Sequence, residues 1–390
     1  MSVVPGTSGS ESGSVPASGS IKPVPFMSTA LAEADIEAAV GVLRSGMLRA
    51  SKKCDEFEKR WGSMTGAKHT MTCANGTCAL QLAYEPLFAA GDEILVPAWS
   101  YIATASMLVA RGCVPVFVDA LPDTYQLDVK DAAAKVTPRT KGIAVTHLYG
   151  CPVDIDGVQA LAGTHDLKVV YDAAQAHLAT WNGRGLGEFG DAVTYSLYAT
   201  KNLATGEGGF ITVNDDALAR KVKLLRSHGE TDKYLHESVG YNYRMNDITG
   251  AIGLSRLDRL PDQTAARQRV AARYDAMISK IDGLKAPVTT PGATSAFHLY
   301  TAQLNLSRLT CSRDEFCKAL MAEGVPTATH YPRSLPNQPA LSKWNRNDCP
   351  VADDLATKVF SLPMHHDLTE EHLATVERAL RKTAATFKKG

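Results

Sequence analysis

The sequence predicts an α/β protein: a mostly parallel sheet of the seven-stranded type sandwiched by helices, with a smaller C-terminal α+β domain. Short apolar runs of strand length recur with helical stretches between them, a pattern in which both faces of a sheet are covered. Past residue 275 this alternation gives way to an isolated strand signal and two helices. With 390 residues, 45% of them hydrophobic and 21% charged, the chain can bury a sizeable core.

Residues 1–20 are mostly Ser, Gly, Pro, Val and Ala and read as a disordered tail, without the basic start or apolar run of a secretory signal. Helical periodicity spans 33–45 and stops at Gly46. A second helix is predicted over 55–65, where Phe57 and Trp61 lie four apart on one face. Residues 68–73 read as a strand and 77–88 as a helix entered through Ala74-Asn-Gly76. Strands at 93–97 and 114–118 flank a helix over 103–111, and the strand series continues at 140–146, 168–171, 192–197 and 209–213.

A long helical stretch over 247–281, interrupted at Pro261, carries Arg256, Arg259, Arg267, Arg269 and Arg273, which read as a solvated face. Residues 295–306 then suggest strand, and 313–323 and 370–388 helices. The expected division is a large unit over 21–274 and a small unit over 275–390, with no internal repeat.

Forty-one Lys and Arg balance 41 Asp and Glu, and basic residues never run beyond adjacent pairs. That balance gives no expectation of a nucleic acid or anionic membrane partner. The eight cysteines are scattered without CxxC spacing, as in a protein of a reducing compartment, and no metal site is expected. No segment approaches the roughly twenty apolar residues that cross a bilayer, so a soluble, cytoplasmic protein is expected.

In such sheets ligands bind beyond the carboxyl ends of the strands, so the loops that follow strands matter most. Asp172 closes the apolar run Leu167-Lys-Val-Val-Tyr171, and Lys201 lies between Ser196 and the glycine-rich turn Gly206-Glu-Gly-Gly209. An acid at a strand end, then a hydroxyl, then a lysine suits pyridoxal phosphate: the acid pairs with the ring nitrogen, the hydroxyl binds phosphate and the lysine forms the Schiff base. Asp172 in isolation serves equally as a helix N-cap. Gly76 and Thr77 open a helix whose free N–H groups, with the Thr77 hydroxyl, can seat a phosphate. Gln175 is placed to donate to the ring's phenolic oxygen. His177 reads as either a site residue or a structural histidine, and Tyr101 as either a ring-stacking or a core aromatic. Trp99, the segment 228–241 and His330-Tyr-Pro-Arg333 are candidates for the acceptor pocket, with His330 and Arg333 as diphosphate ligands, or Arg333 equally as a surface loop residue.

Several segments occur in a fixed order: Asn75-Gly-Thr-Cys-Ala-Leu80, Val96-Pro-Ala-Trp-Ser-Tyr-Ile-Ala-Thr104, His147-Leu-Tyr-Gly150, Asp172-Ala-Ala-Gln-Ala-His177, Ser196-Leu-Tyr-Ala-Thr-Lys-Asn-Leu-Ala-Thr-Gly-Glu-Gly-Gly209 and Asn242-Tyr-Arg-Met245. Over about 25–382 the chain resembles the DegT/DnrJ/EryC1/StrS sugar aminotransferases, which are fold type I pyridoxal phosphate enzymes. The resemblance implies that Lys201 is the cofactor-bound amine and proton carrier, and that Asp172 contacts the ring nitrogen. It further implies that Gln175 contacts the phenolic oxygen, Tyr101 the ring face, and Gly76, Thr77 and Ser196 the phosphate.

By the same resemblance Asn242 reaches the phosphate of a neighbouring subunit, implying a homodimer, and Arg244 is a candidate for the donor's carboxylate. Lysine rather than histidine at position 201 separates the chain from the family's dehydratases. Two departures stand out. Leu178 replaces the glycine common after the histidine, an expected narrowing near the cofactor. Asn75 replaces a common serine, altering one phosphate contact. The expected reaction moves an amino group from L-glutamate or L-glutamine to a keto sugar, most simply nucleotide-linked. The alternatives are a keto-cyclitol of the scyllo-inosose type and, more remotely, a non-catalytic regulator.

Overall fold

The computed structural model describes residues 23–390; the predicted tail over 1–20 lies outside them. Seven strands form the main sheet: β1 (His69–Cys73), β2 (Glu93–Pro97), β3 (Val114–Val118), β4 (Thr140–Thr146), β5 (Lys168–Asp172), β6 (Ala192–Ser196) and β7 (Gly209–Val213). Their order is β1-β7-β6-β5-β4-β2-β3. β7 runs antiparallel to both neighbours and every other pairing is parallel. The expected mostly parallel sheet is therefore what forms.

Successive strand residues point to opposite faces, which splits the core in two. Val169, Tyr171, Val193 and Tyr195 pack with Phe57 and Trp61 of helix α2 (Lys52–Thr65), which follows α1 (Glu33–Ser45). Val170, Ala192 and Ile211 pack on the other face with helices α3 (Gly76–Tyr84) and α4 (Ala103–Ala110). Each fully buried large side chain contributes about 1.5–3 kcal/mol. A third cluster surrounds the antiparallel strands Tyr300–Leu304 and Val359–Leu362 and takes in helix Glu370–Thr386.

The structure corrects several sequence expectations. Arg256 and Arg267, expected on a solvated face, are buried. Arg267 donates to three main-chain carbonyls, Phe297 O, His298 O and Met364 O, which explains how a polar residue sits inside. The helix over 247–281 is two helices, Asp247–Leu257 and Leu260–Ile278. Pro261 falls in the first turn of the second, where its missing N–H leaves no bond unmade. The strand over 295–306 is only Tyr300–Leu304, because Phe297 takes a left-handed backbone (φ 44°) and residues 295–299 bond to loops instead. The helix over 77–88 ends at Tyr84. All eight cysteines are free thiols, and among the described residues no helix is long and apolar enough to cross a membrane.

Candidate active site

Asp172 ends β5 on the same face as Val170, the face that α3 and α4 cover, so it points toward α4. There Thr104 Oγ1 donates to its Oδ2 at 2.7 Å, and Ala174 N donates to Oδ1 at 3.1 Å. No helix follows Asp172, so the N-cap reading is set aside. Burial pushes its carboxyl pKa up, while Thr104, Ala174 and the Lys201 charge act against that rise.

Lys201 sits in the turn between β6 and β7. Burial lowers its ammonium pKa to about 8, against the opposing pull of Asp172. A lysine so placed is neutral often enough near physiological pH to attack a carbonyl.

The strand-to-helix step after β1 provides a third part. Asn75 caps α3 by accepting from Cys78 N through Oδ1 at 2.9 Å, so the side chain that departs from the common serine is occupied in the helix start. The first intrahelical bond runs from Ala79 N to Asn75 O. The N–H groups of Gly76 and Thr77 precede it and point out of the helix end. Gly76 is held against Ser196: a Cβ on it would lie 2.7 Å from Ser196 Cβ. Thr77 is exposed beside it.

Gln175 is oriented by its neighbours. Its Oε1 accepts from Tyr149 N at 2.7 Å, which turns the amide N toward the Tyr331 hydroxyl at 3.1 Å. Tyr149 donates its hydroxyl to His330 O and accepts from Trp99 Nε1 at 3.0 Å. Tyr331 stands 6.4 Å from Tyr101 between ring centroids. Tyr101 is 59% exposed, which excludes a core role. Trp99 is 1% exposed and braces Tyr149, so it does not form an open pocket wall as expected. His177 is buried between Trp61 and Tyr195 at 5.7 and 5.8 Å. Neither of its ring nitrogens makes a hydrogen bond of ordinary geometry, and its nearest polar partner is the Ser196 backbone. Burial and the Lys201 charge lower its pKa to about 3. His330 bonds Ser361 Oγ through Nδ1 at 2.9 Å, and burial lowers its pKa to about 4.

Leu178 occupies a left-handed backbone (φ 60°), the conformation that favours glycine, at a cost of about 1–2 kcal/mol. Its side chain packs against the core cluster containing Trp61 and Tyr195. Asn242, Arg244 and Arg333 are exposed, and among the described residues their side chains make no hydrogen bond within the chain. Segment 228–241 forms an exposed hairpin of Glu230–Asp232 with Leu235–His236.

Sequence reasoning gave no role to Thr104, Asn202 and His298, and included Tyr331 only as part of an acceptor-pocket segment. Thr104 had a signal, a hydroxyl in an otherwise apolar helix. The others gain meaning only from partners far away in the chain.

These residues fit pyridoxal phosphate. Asp172 is a buried carboxylate whose hydrogen-bond donors are neutral, leaving a place for a cationic ring nitrogen. The Gly76–Ser196 approach makes a cradle that a Cβ would fill, beside N–H groups aimed outward. A seven-stranded sheet carrying an acid and a depressed lysine at its strand ends is the arrangement of a fold type I pyridoxal phosphate enzyme.

The DegT/DnrJ/EryC1/StrS aminotransferase family model matches residues 29–381, and the chain belongs to that family. It is 38% identical over 329 residues to the UDP-N-acetyl-3-dehydro-alpha-D-glucosamine 3-aminotransferase of Acidithiobacillus ferrooxidans, covering 84% of this chain and 87% of the relative. It is 38% identical over 330 residues to the GDP-perosamine synthase of Caulobacter vibrioides, covering 83% and 88%. Among solved structures, DesV of S. venezuelae in complex with a ketimine intermediate superposes with a TM-score of 0.88 at 33% identity, over 93% of this chain and 99% of that one.

Proposed function

We propose that this aminotransferase moves an amino group from L-glutamate or L-glutamine to a nucleotide-linked keto sugar in amino-sugar biosynthesis. The observation that carries the reading is the buried Asp172 at the end of β5, held by Thr104 and Ala174, with Lys201 in the turn after β6, where burial lowers its ammonium pKa to about 8. Two relatives at 38% identity are named for UDP- and GDP-sugar chemistry, which supports the substrate class and leaves the nucleotide open.

Bound pyridoxal phosphate supplies an aldehyde and an electron sink for the carbanion left when the donor loses its α-proton. Lys201 Nζ would hold the cofactor, and its lowered pKa suits it to take up and return that proton as a general base and then a general acid, work worth typically 10²–10⁴-fold in rate. Asp172 balances the charge on the ring nitrogen, and its neutral donors keep the carboxylate oriented. The Gly76 and Thr77 N–H groups and the Ser196 hydroxyl take the phosphate. Gln175, with its amide N facing outward, would donate to the phenolic oxygen, and the exposed Tyr101 would lie against the ring. His330, Arg244 and Arg333 are assigned to substrate handling; His177, buried between Trp61 and Tyr195, is withdrawn from that role.

The working unit is a homodimer in which Asn242 reaches the neighbouring site. Large apolar side chains on the hairpin segment support this, with Tyr234 82% and Val239 88% exposed. The cofactor-binding unit is assigned to 21–274 and the small unit to 275–390, with helix Leu260–Ile278 crossing the boundary, in a cytoplasmic protein.

The test is Lys201→Arg, which should remove both the visible absorbance of lysine-bound cofactor and turnover. Wild-type transamination by that variant would sink the assignment. A half-reaction screen with glutamate and glutamine, followed by nucleotide keto sugars and scyllo-inosose, identifies donor and acceptor.

A further inference from the structure

Segment 295–299 is bonded to two loops of the site at once. On one side Ala296 N and Ser295 Oγ donate to Gly150 O at 2.8 and 3.1 Å, and Leu299 N donates to Tyr149 O at 3.3 Å. Gly150 is required there: its backbone is left-handed (φ 96°), and a Cβ would lie 2.8 Å from His298 N and 2.9 Å from Gln175 O. Through Tyr149, whose N–H holds Gln175 Oε1, this side of the segment is tied to the Gln175 amide.

On the other side stands Asn202, the residue after Lys201. Its Nδ2 donates to Ala296 O at 2.9 Å, and its Oδ1 lies 3.3 Å from His298 Nδ1. The first contact fixes the amide orientation, since a carbonyl only accepts. The second then requires His298 to carry its proton on Nδ1 and to leave Nε2 bare. A second ring proton is disfavoured by burial and by the charges of Lys201 and Arg267, with His330 and His177 also facing the ring. Arg267 grips the same segment through Phe297 O and His298 O and joins it to Met364 O at 2.8 Å. Asn202, His298 and Arg267 are all buried, so none of these bonds is exchanged freely for water.

We propose that Asn202 and His298 are positioning residues: their amide–imidazole pair clamps the Lys201 turn to segment 295–299, and so to the loop that aims Gln175. This rests on the reading of Lys201 as the cofactor-holding amine. The clamp registers two cofactor contacts that lie on separate loops, and Arg267 keeps the segment seated from the far side. Reacting groups tolerate little misplacement, and a displacement of about 1 Å can reduce rate about a hundredfold.

The experiment compares wild-type holoenzyme with Asn202→Ala, His298→Ala and His298→Asn, the last placing an amide N–H where Nδ1 was. For each, kcat, the KM for glutamate, the melting temperature and the pH midpoint of the visible lysine-bound cofactor band are measured. The alanine variants should lose about tenfold or more in kcat with KM within about threefold, and the midpoint should move by about half a unit or more. His298→Asn should return kcat and midpoint to within about threefold and about 0.2 units of wild type. A lowered melting temperature with an unmoved midpoint overturns the proposal, as does a His298→Asn variant no better than His298→Ala. Should Asn202→Ala not fold, Asn202→Asp keeps the shape and the acceptor for His298 but loses the donor to Ala296; an unmoved midpoint there overturns the clamp equally. A wild-type protein without the band would instead overturn the reading of Lys201 itself.

Discussion

Thr104 Oγ1 donates to Asp172 Oδ2 across 2.7 Å, and the same oxygen lies 3.1 Å from Thr146 Oγ1 and 3.3 Å from Ser100 Oγ. A hydroxyl has one proton. With that proton given to Asp172, Thr104 accepts from one neighbour, while Ser100 and Thr146 use the other proton in their own bond of 2.8 Å, so three buried hydroxyls support one carboxylate. Thr104→Val keeps the shape and removes the donor. It should destabilise the protein by about 1–3 kcal/mol, measured by urea unfolding, and weaken cofactor binding as the Asp172 pKa rises further. Unchanged affinity and stability would show that the bond carries nothing.

Asp172→Asn tests the coupling to Lys201. The aspartate charge raises the lysine pKa against burial, so removing it should move the midpoint below about 8. The pH dependence of the rate at which cofactor-free protein captures pyridoxal phosphate reads this directly. A midpoint that rises would contradict the arrangement.

Gly76→Ala places a methyl 2.7 Å from Ser196 Cβ, at a strand end with no room to yield. Helix α3 must then shift away from β6, at a cost of about 1–3 kcal/mol. The phosphate cradle opens with it, and the Kd for pyridoxal phosphate should rise about tenfold or more, the equivalent of about 1.4 kcal/mol. Fluorescence titration of the cofactor measures the change.

His147 and His177 make the fold acid-sensitive. Burial holds both near a pKa of about 3, whereas an unfolded histidine protonates near 6.5. Stability is therefore full above 6.5 and falls as pH drops toward 3, by up to about 1.4 kcal/mol per unit for each group. Urea midpoints should decline from pH 7 to pH 5, and His177→Phe should decline less steeply. Parallel declines would remove His177 from this role.

The strands Glu93–Pro97, Val114–Val118, Thr140–Thr146 and Gly209–Val213 and the helix Glu33–Ser45 were legible with their bounds, because each is a short apolar run or a clear 3.6-residue period. Arg267 was misread because periodicity records polarity and not the carbonyls that can satisfy a buried guanidinium. Trp99 was misplaced for a related reason: an aromatic after a strand reads alike whether it lines a cleft or braces a tyrosine.

The sequence by itself determined the order of a strand-end acid, a hydroxyl and a lysine, since local strand and turn chemistry places all three at one end of a sheet. Only the tertiary structure decided what tunes and aims them. Thr104 meets Asp172 from 68 positions away, and Asn202 meets Ala296 from 94. Contacts of that range come from how helices cover the sheet and how the chain returns across it. No local pattern encodes them, because each partner taken alone is an ordinary polar residue.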